Sequence, residues 1–139
     1  MKFFKILGIV ACFAACAACL TAFNSNTCFA EGESYTFFCG DTSRDCRIIT
    51  VESGAALKKL TLRGINGEST AYPELDIAEF LDEINGQIIF TEELTDSTNY
   101  YCSANLPYSV ELYGKQINLH ICVKEGQTIV ASPIIFGGY

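Results

Sequence analysis

The chain has a single histidine, His120, and no C-x2-C pair among Cys39, Cys46, Cys102 and Cys122. One imidazole, on what reads as the polar face of a strand, does not make a nucleophile–base pair, and no strand–elbow–helix serine motif accompanies it. Without paired cysteines at metal spacing, a zinc site is disfavoured. Glycine-rich phosphate loops, internal repeats, low-complexity tracts and linkers are all missing. Asp96-Ser97-Thr98-Asn99 is too short for a calcium loop and reads as a turn. Glu92 and Glu93 are neighbours on a strand, so they point to opposite faces and cannot share a substrate. These absences lead us to expect no catalytic residue, no metal and no cofactor.

Cations are missing over a long stretch. Residues 64–114 hold no Lys or Arg but ten acids: Glu68, Glu74, Asp76, Glu79, Asp82, Glu83, Glu92, Glu93, Asp96 and Glu111. Such a surface repels phosphate backbones and anionic headgroups and tolerates cationic partners. Nucleic acid is therefore excluded as a partner.

What the chain does have begins at its N-terminus. Lys2 and Lys5 precede an apolar run over residues 6–23, then polar Asn24-Ser25-Asn26-Thr27 and the small-residue pattern Cys28-Phe29-Ala30. This describes a secretory signal peptide over residues 1–30, leaving residues 31–139 as one small domain. That domain carries seven Lys and Arg against sixteen Asp and Glu, a net charge of −9. Two other fates fit the same residues. The run is just long enough to span a bilayer uncleaved, and Ile9-Val10-Ala11-Cys12 and Phe13-Ala14-Ala15-Cys16 have the look of a lipobox. A membrane is a partner only in those two cases. The expected location is secreted or extracytoplasmic, at the cell envelope.

Cys39, Cys46, Cys102 and Cys122 lie beyond the signal. Four cysteines in an exported domain suggest a disulfide framework. Cys39 and Cys46 flank one loop, which favours pairing them. Cys102 with Cys122 completes the set, provided that a bulge near Pro107 or an offset between strands brings them into register.

Alternating β-formers predict strands over residues 34–39 and 47–52, joined by the turn cluster Gly40-Asp41-Thr42-Ser43-Arg44-Asp45. Leu60 and Leu62 alternate with Thr61 and Arg63, which reads as a strand over residues 57–64. Asp76 then caps a helix, with Glu79 completing a capping box and Leu75 placed to staple onto Phe80. Ile77, Phe80, Leu81 and Ile84 give that helix one apolar face, and Asn85-Gly86 ends it. Strands follow over residues 87–94 and 98–105. Val110-Glu111-Leu112 leads into a turn at Tyr113-Gly114-Lys115. Ile117, Leu119, Ile121 and Val123 form one face of a further strand, and Glu125-Gly126 turns it into residues 127–136. The fold expected is α+β: an N-terminal β-hairpin followed by β-α-β-β-β-β, with one helix packed on an antiparallel sheet.

Tyrosines crowd the C-terminal half. Tyr100, Tyr101, Tyr108 and Tyr113 are the candidates for a binding surface, since tyrosine suits both sheets and interfaces. Tyr100 and Tyr101 are adjacent, so one of them faces away from the core.

Tyr113-Gly114-Lys115-Gln116-Ile117-Asn118-Leu119-His120-Ile121, followed by Ser132-Pro133-Ile134-Ile135-Phe136-Gly137-Gly138-Tyr139, resembles the end of YwmB-like proteins. The likeness covers the last thirty residues well and residues 85–101 loosely; the hairpin with Cys39 and Cys46 lies outside it. The resemblance implies an exported protein of Gram-positive spore-formers with a fold similar to TATA-box binding protein, of which this chain holds one half unit. It carries no catalytic residues and no DNA binding, because fold alone does not carry function. Two readings of function stand on these residues. The first is a non-enzymatic interaction domain at the cell envelope, binding a protein, peptide or wall polymer. The alternative is a small secreted hydrolase or hydrolase inhibitor whose carboxylates the sequence does not pair.

Overall fold

A computed structural model describes residues 1–24, 26–42 and 44–136. Ser25 of the polar stretch, Ser43 of the loop, and Gly137, Gly138 and Tyr139 of the C-terminal motif lie outside the described residues. The chain is α+β, with three helices and a seven-stranded antiparallel sheet. Helix α1 (Lys2–Asn24) is long and apolar enough to cross a membrane and is exposed throughout its window of residues 2–19.

The hairpin forms where the turn residues place it. Strands β1 (Ser34–Cys39) and β2 (Arg47–Val51) pair antiparallel, with Cys39 opposite Arg47. Residues 57–64 depart from expectation. They belong largely to helix α2 (Ala55–Thr61), not to a strand. The Leu60/Leu62 alternation is only two repeats long, and Ala, Leu and Lys are strong helix formers. The strand before the capped helix is instead β3 (Ile65–Tyr72), which pairs with β1 on one side.

Helix α3 (Ile77–Glu83) starts at its predicted cap: the Glu79 N–H donates to Asp76 Oδ1 at 3.0 Å. Phe80 and Leu81 are buried, and Asn85 adopts φ 53° just past the end. Asp76→Ala is expected to cost about 1 kcal/mol, because one orphan N–H of the first turn loses its acceptor. A urea melt of this variant checks it.

Strands β4 (Gln87–Glu93), β5 (Ser97–Ser103), β8 (Leu119–Lys124) and β9 (Gln127–Ser132) complete the sheet. A separate small hairpin is made by β6 (Val110–Leu112) and β7 (Lys115–Ile117). The strand order in the sheet is β2-β1-β3-β9-β8-β5-β4. Residues 117–123 are thus not one strand. They break at Asn118, whose side-chain carbonyl accepts from Ala104 N–H and whose amide donates to the Ala104 carbonyl. Leu119 and Ile121 belong to the helix-covered core with Val123 packed against it, whereas Ile117 is buried outside that cluster and His120 and Cys122 are buried on the other face.

The two faces of the sheet differ. One carries Tyr35, Phe37, Leu119, Ile121 and Val130, against which Phe80, Leu81 and Ala55 of the two helices pack. The other carries Asn99, His120, Cys122 and Ala131, all buried; residues 133–136 cross it and the β6–β7 hairpin reaches Phe90 at its β4 edge. Gly67 makes that crossing possible: a Cβ there would meet the Ser132 carbonyl at 2.8 Å and the Phe136 ring at 3.1 Å.

None of the described cysteines is bridged. Cys102 lies opposite Leu119, on the helix-covered face, whereas Cys122 lies opposite Asn99, on the other face. A side chain on each face of a sheet cannot be joined through it, so the expected Cys102–Cys122 bond does not form. Cys39 is buried and Cys46 exposed, and the two are not bridged in this structure.

Candidate functional site

Two polar constellations and one aromatic row stand out. The first constellation surrounds Glu68, a carboxylate with no solvent exposure, on the helix-covered face. Lys59 Nζ of α2 donates to Glu68 Oε2 at 2.8 Å. Tyr35 Oη donates to Oε1 at 3.0 Å, and Cys28 contributes its N–H at 3.3 Å and its thiol at 3.1 Å. Burial and the Glu68 charge push the Cys28 thiol and the Tyr35 and Tyr108 phenols upward, so each stays protonated. A protonated thiol is a poor nucleophile, and the carboxylate is saturated with donors. This chemistry locks elements together; it is not poised to react.

The second constellation is on the other face. His120 Nδ1 accepts from Ile135 N–H at 3.2 Å. That fixes the tautomer, so Nε2–H donates to Asn99 Oδ1 at 2.9 Å. Burial lowers the His120 pKa from 6.5 to about 4. Between those values the unfolded chain binds the proton and the folded chain does not. Stability from this site is therefore full above pH 6.5 and is lost as the pH falls toward 4, by on the order of 3 kcal/mol. His120→Gln should lose less stability than wild type between pH 7 and pH 4.5; parallel urea melts at the two values measure the difference.

His120 also begins the aromatic row. Phe90, Tyr101 and His120 are direct cross-strand partners on β4, β5 and β8. Their rings stack: Phe90 on Tyr101 at 4.5 Å and 18°, Tyr101 on His120 at 4.5 Å and 15°. This spacing is close to that of neighbouring strands, so one ring per strand builds a ladder with its edges outward. Tyr113 meets Phe90 edge-on at 5.8 Å, and Lys115 Nζ lies 5.7 Å from the Phe90 ring centre. The Tyr101 hydroxyl donates to Glu92 at 3.3 Å.

Beyond His120 the same row continues through Ala131, Ser69, Thr36 and Thr50. Small side chains replace rings there, and the sheet surface sinks into a groove of about 330 Å³ beside Phe136. Phe38 and Phe136 contact edge-on at 5.1 Å, so the crossing segment separates ladder from groove.

Tyr113 is presented in an unusual way. It is 89% exposed, at the tip of the β6–β7 hairpin, with φ 50° and Gly114 at φ 72°. Two residues with positive φ make the turn that matches strand twist, and Asn-Gly is its usual sequence. A tyrosine in the first position bears a conformational cost that an exposed ring does not repay by burial.

Of the four tyrosines expected to form a surface, the structure brings Tyr101 and Tyr113 together. Tyr100 lies on the helix-covered face against the core, and Tyr108 is half-buried, its carbonyl accepting from Ser132 Oγ at 3.5 Å. Phe90, which links the two, carries no sequence signal beyond its place in a strand; only strand register reveals it. Among the described residues, no group of three or more His, Cys, Asp or Glu is placed to hold a metal ion. No family model, no curated protein and no solved structure matches this chain.

Proposed function

We propose that the chain is a non-enzymatic interaction domain on the outer side of a cell membrane, and that it binds a protein or peptide partner through the ladder Tyr113–Phe90–Tyr101. The observation that carries this reading is Tyr113: a solvent-facing ring, held in a costly backbone conformation, at the end of a stacked row. The ladder presents ring edges and a tyrosine hydroxyl, which suit apolar and hydrogen-bonding side chains. The chain carries a net charge of −7, and at the ladder itself Glu92 accepts from Tyr101 while Lys115 lies beside Phe90. A basic, partly apolar segment is the complementary partner.

The likeness to YwmB-like exported proteins belongs to the same reading, as does the TATA-box-binding-protein-like half unit that it implies. It is supported by an antiparallel sheet with helices packed on one face. An envelope role linked to sporulation in a Gram-positive cell is what that likeness adds.

Tyr113→Asn tests the proposal cleanly. Asparagine suits the turn, so stability is kept or raised, while the ring is lost. Binding of partner protein from solubilised envelope should fall at least about tenfold, the range of an interface aromatic worth 1.4 kcal/mol or more. Unchanged retention by Tyr113→Asn and Phe90→Ala alike contradicts the ladder as the site. Retention on purified wall polymer in place of protein contradicts the partner class.

A further inference from the structure

Residues 26–30 include the small-residue pattern that reads as a cleavage site, yet they are built into the domain. Phe29 is 4% exposed and belongs to the core, with its ring 6.2 Å from that of Phe80. The Phe29 N–H donates to the Tyr35 hydroxyl at 3.2 Å. Cys28 gives Glu68 two donors, its backbone N–H and its thiol. The Asn26 carbonyl accepts from Lys59 Nζ at 2.8 Å, and the Ala30 carbonyl accepts from Tyr72 Oη at 2.6 Å. A cut after Ala30 takes all of this away. It leaves an aromatic-sized hole beside Phe80, and it strips Glu68, Lys59, Tyr35 and Tyr72 each of a partner.

A second observation comes from α2. Ala55 and Lys59, four apart, face inward, so Leu57 and Leu60 point out and are 73% and 50% exposed. This inverts the usual placement of Leu and Lys on a surface helix. Lys59 holds Asn26, which is two residues past the end of α1. Two residues reach at most about 7 Å. If α1 stays in a bilayer, α2 sits next to the point where the chain leaves it, and exposed leucines are what that position suits.

We propose that residues 26–30 remain in the mature protein, so that the chain is held at the membrane by its N-terminal apolar segment and is not released by a cut between Ala30 and Glu31. The domain then stands within a few residues of the lipid surface.

Intact-mass measurement of the full chain expressed in a Gram-positive host, after separation of membrane and soluble fractions, decides this. The expected product is in the membrane fraction and contains residues 26–30, as the whole chain or as a form lipidated at Cys12 or Cys16. A product that begins at Glu31, or any soluble product lacking the apolar segment, overturns the proposal. Ala30→Leu provides an independent arm. Ala30 is exposed, so the larger side chain is accommodated, while the small-residue requirement at that position is broken. The mass should change only by the substitution itself. Accumulation of a longer form in this variant, relative to wild type, shows that wild type is cut there and overturns the proposal.

Discussion

Lys59→Met is expected to destabilise the domain by about 3–5 kcal/mol, because it leaves the Glu68 carboxylate buried without its cation. The pair is close at 2.8 Å, with the lysine side chain 13% exposed and the glutamate fully enclosed. Surface pairs are worth little, so the burial is what sets the size of the effect. The identity of the cause is testable by a cycle. Glu68→Gln removes the charge while keeping a similar shape, so the double variant Lys59→Met/Glu68→Gln should recover much of what Lys59→Met alone loses. Denaturant melts of the four proteins give the coupling. Additive losses contradict the account of Glu68 as a charge neutralised by Lys59.

Phe29→Ala should cost about 3–5 kcal/mol, the range for an aromatic removed from a packed core. The side chain fills space between Phe80 and the sheet, and its backbone N–H ties the segment to Tyr35. Leu57→Ala is the matched control: its side chain is 73% exposed, and its loss should fall within about 0.5 kcal/mol in detergent-solubilised full chain. Equal effects for the two residues contradict the packing described for residues 26–30.

How far the sequence carries depends on the local signal of each element. The β1–β2 hairpin, the α3 cap, the Glu125-Gly126 turn and the apolar face of Leu119, Ile121 and Val123 are all written in short-range patterns, and the structure has them where those patterns put them. Strand β3 is hidden because its inward positions include Glu68 and Thr70, polar residues whose partners lie far along the chain. No alternation of apolar residues marks it, and the nearby leucines of α2 supply a false one. Phe29 is hidden for a different reason: it sits inside a pattern that reads as processing signal, and only tertiary packing assigns it to the core. The Cys102–Cys122 pairing fails on a single question of parity, since register places the two residues on opposite faces.

The candidate site divides in the same way. Adjacent Tyr100 and Tyr101 had to face opposite sides, and Tyr113 was placed in a turn by its own Tyr-Gly-Lys sequence. Their assembly into one surface depends on Phe90 and His120, which join through cross-strand register alone. Tyr108 shows the limit of composition. It is a tyrosine in the right region, yet it is half-buried and makes no ring contact with the ladder.

Photo-crosslinking from position 113 tests the central claim most directly. A photoreactive phenylalanine analogue in place of Tyr113, in the full chain in its native membrane, should form an adduct with a basic protein or peptide. The adduct should disappear when Phe90→Ala is added and should weaken at high salt, where an acidic surface loses its attraction for a basic partner. An adduct that persists unchanged in the Phe90→Ala background, or one that forms from position 57 and not from position 113, contradicts the ladder as the binding surface.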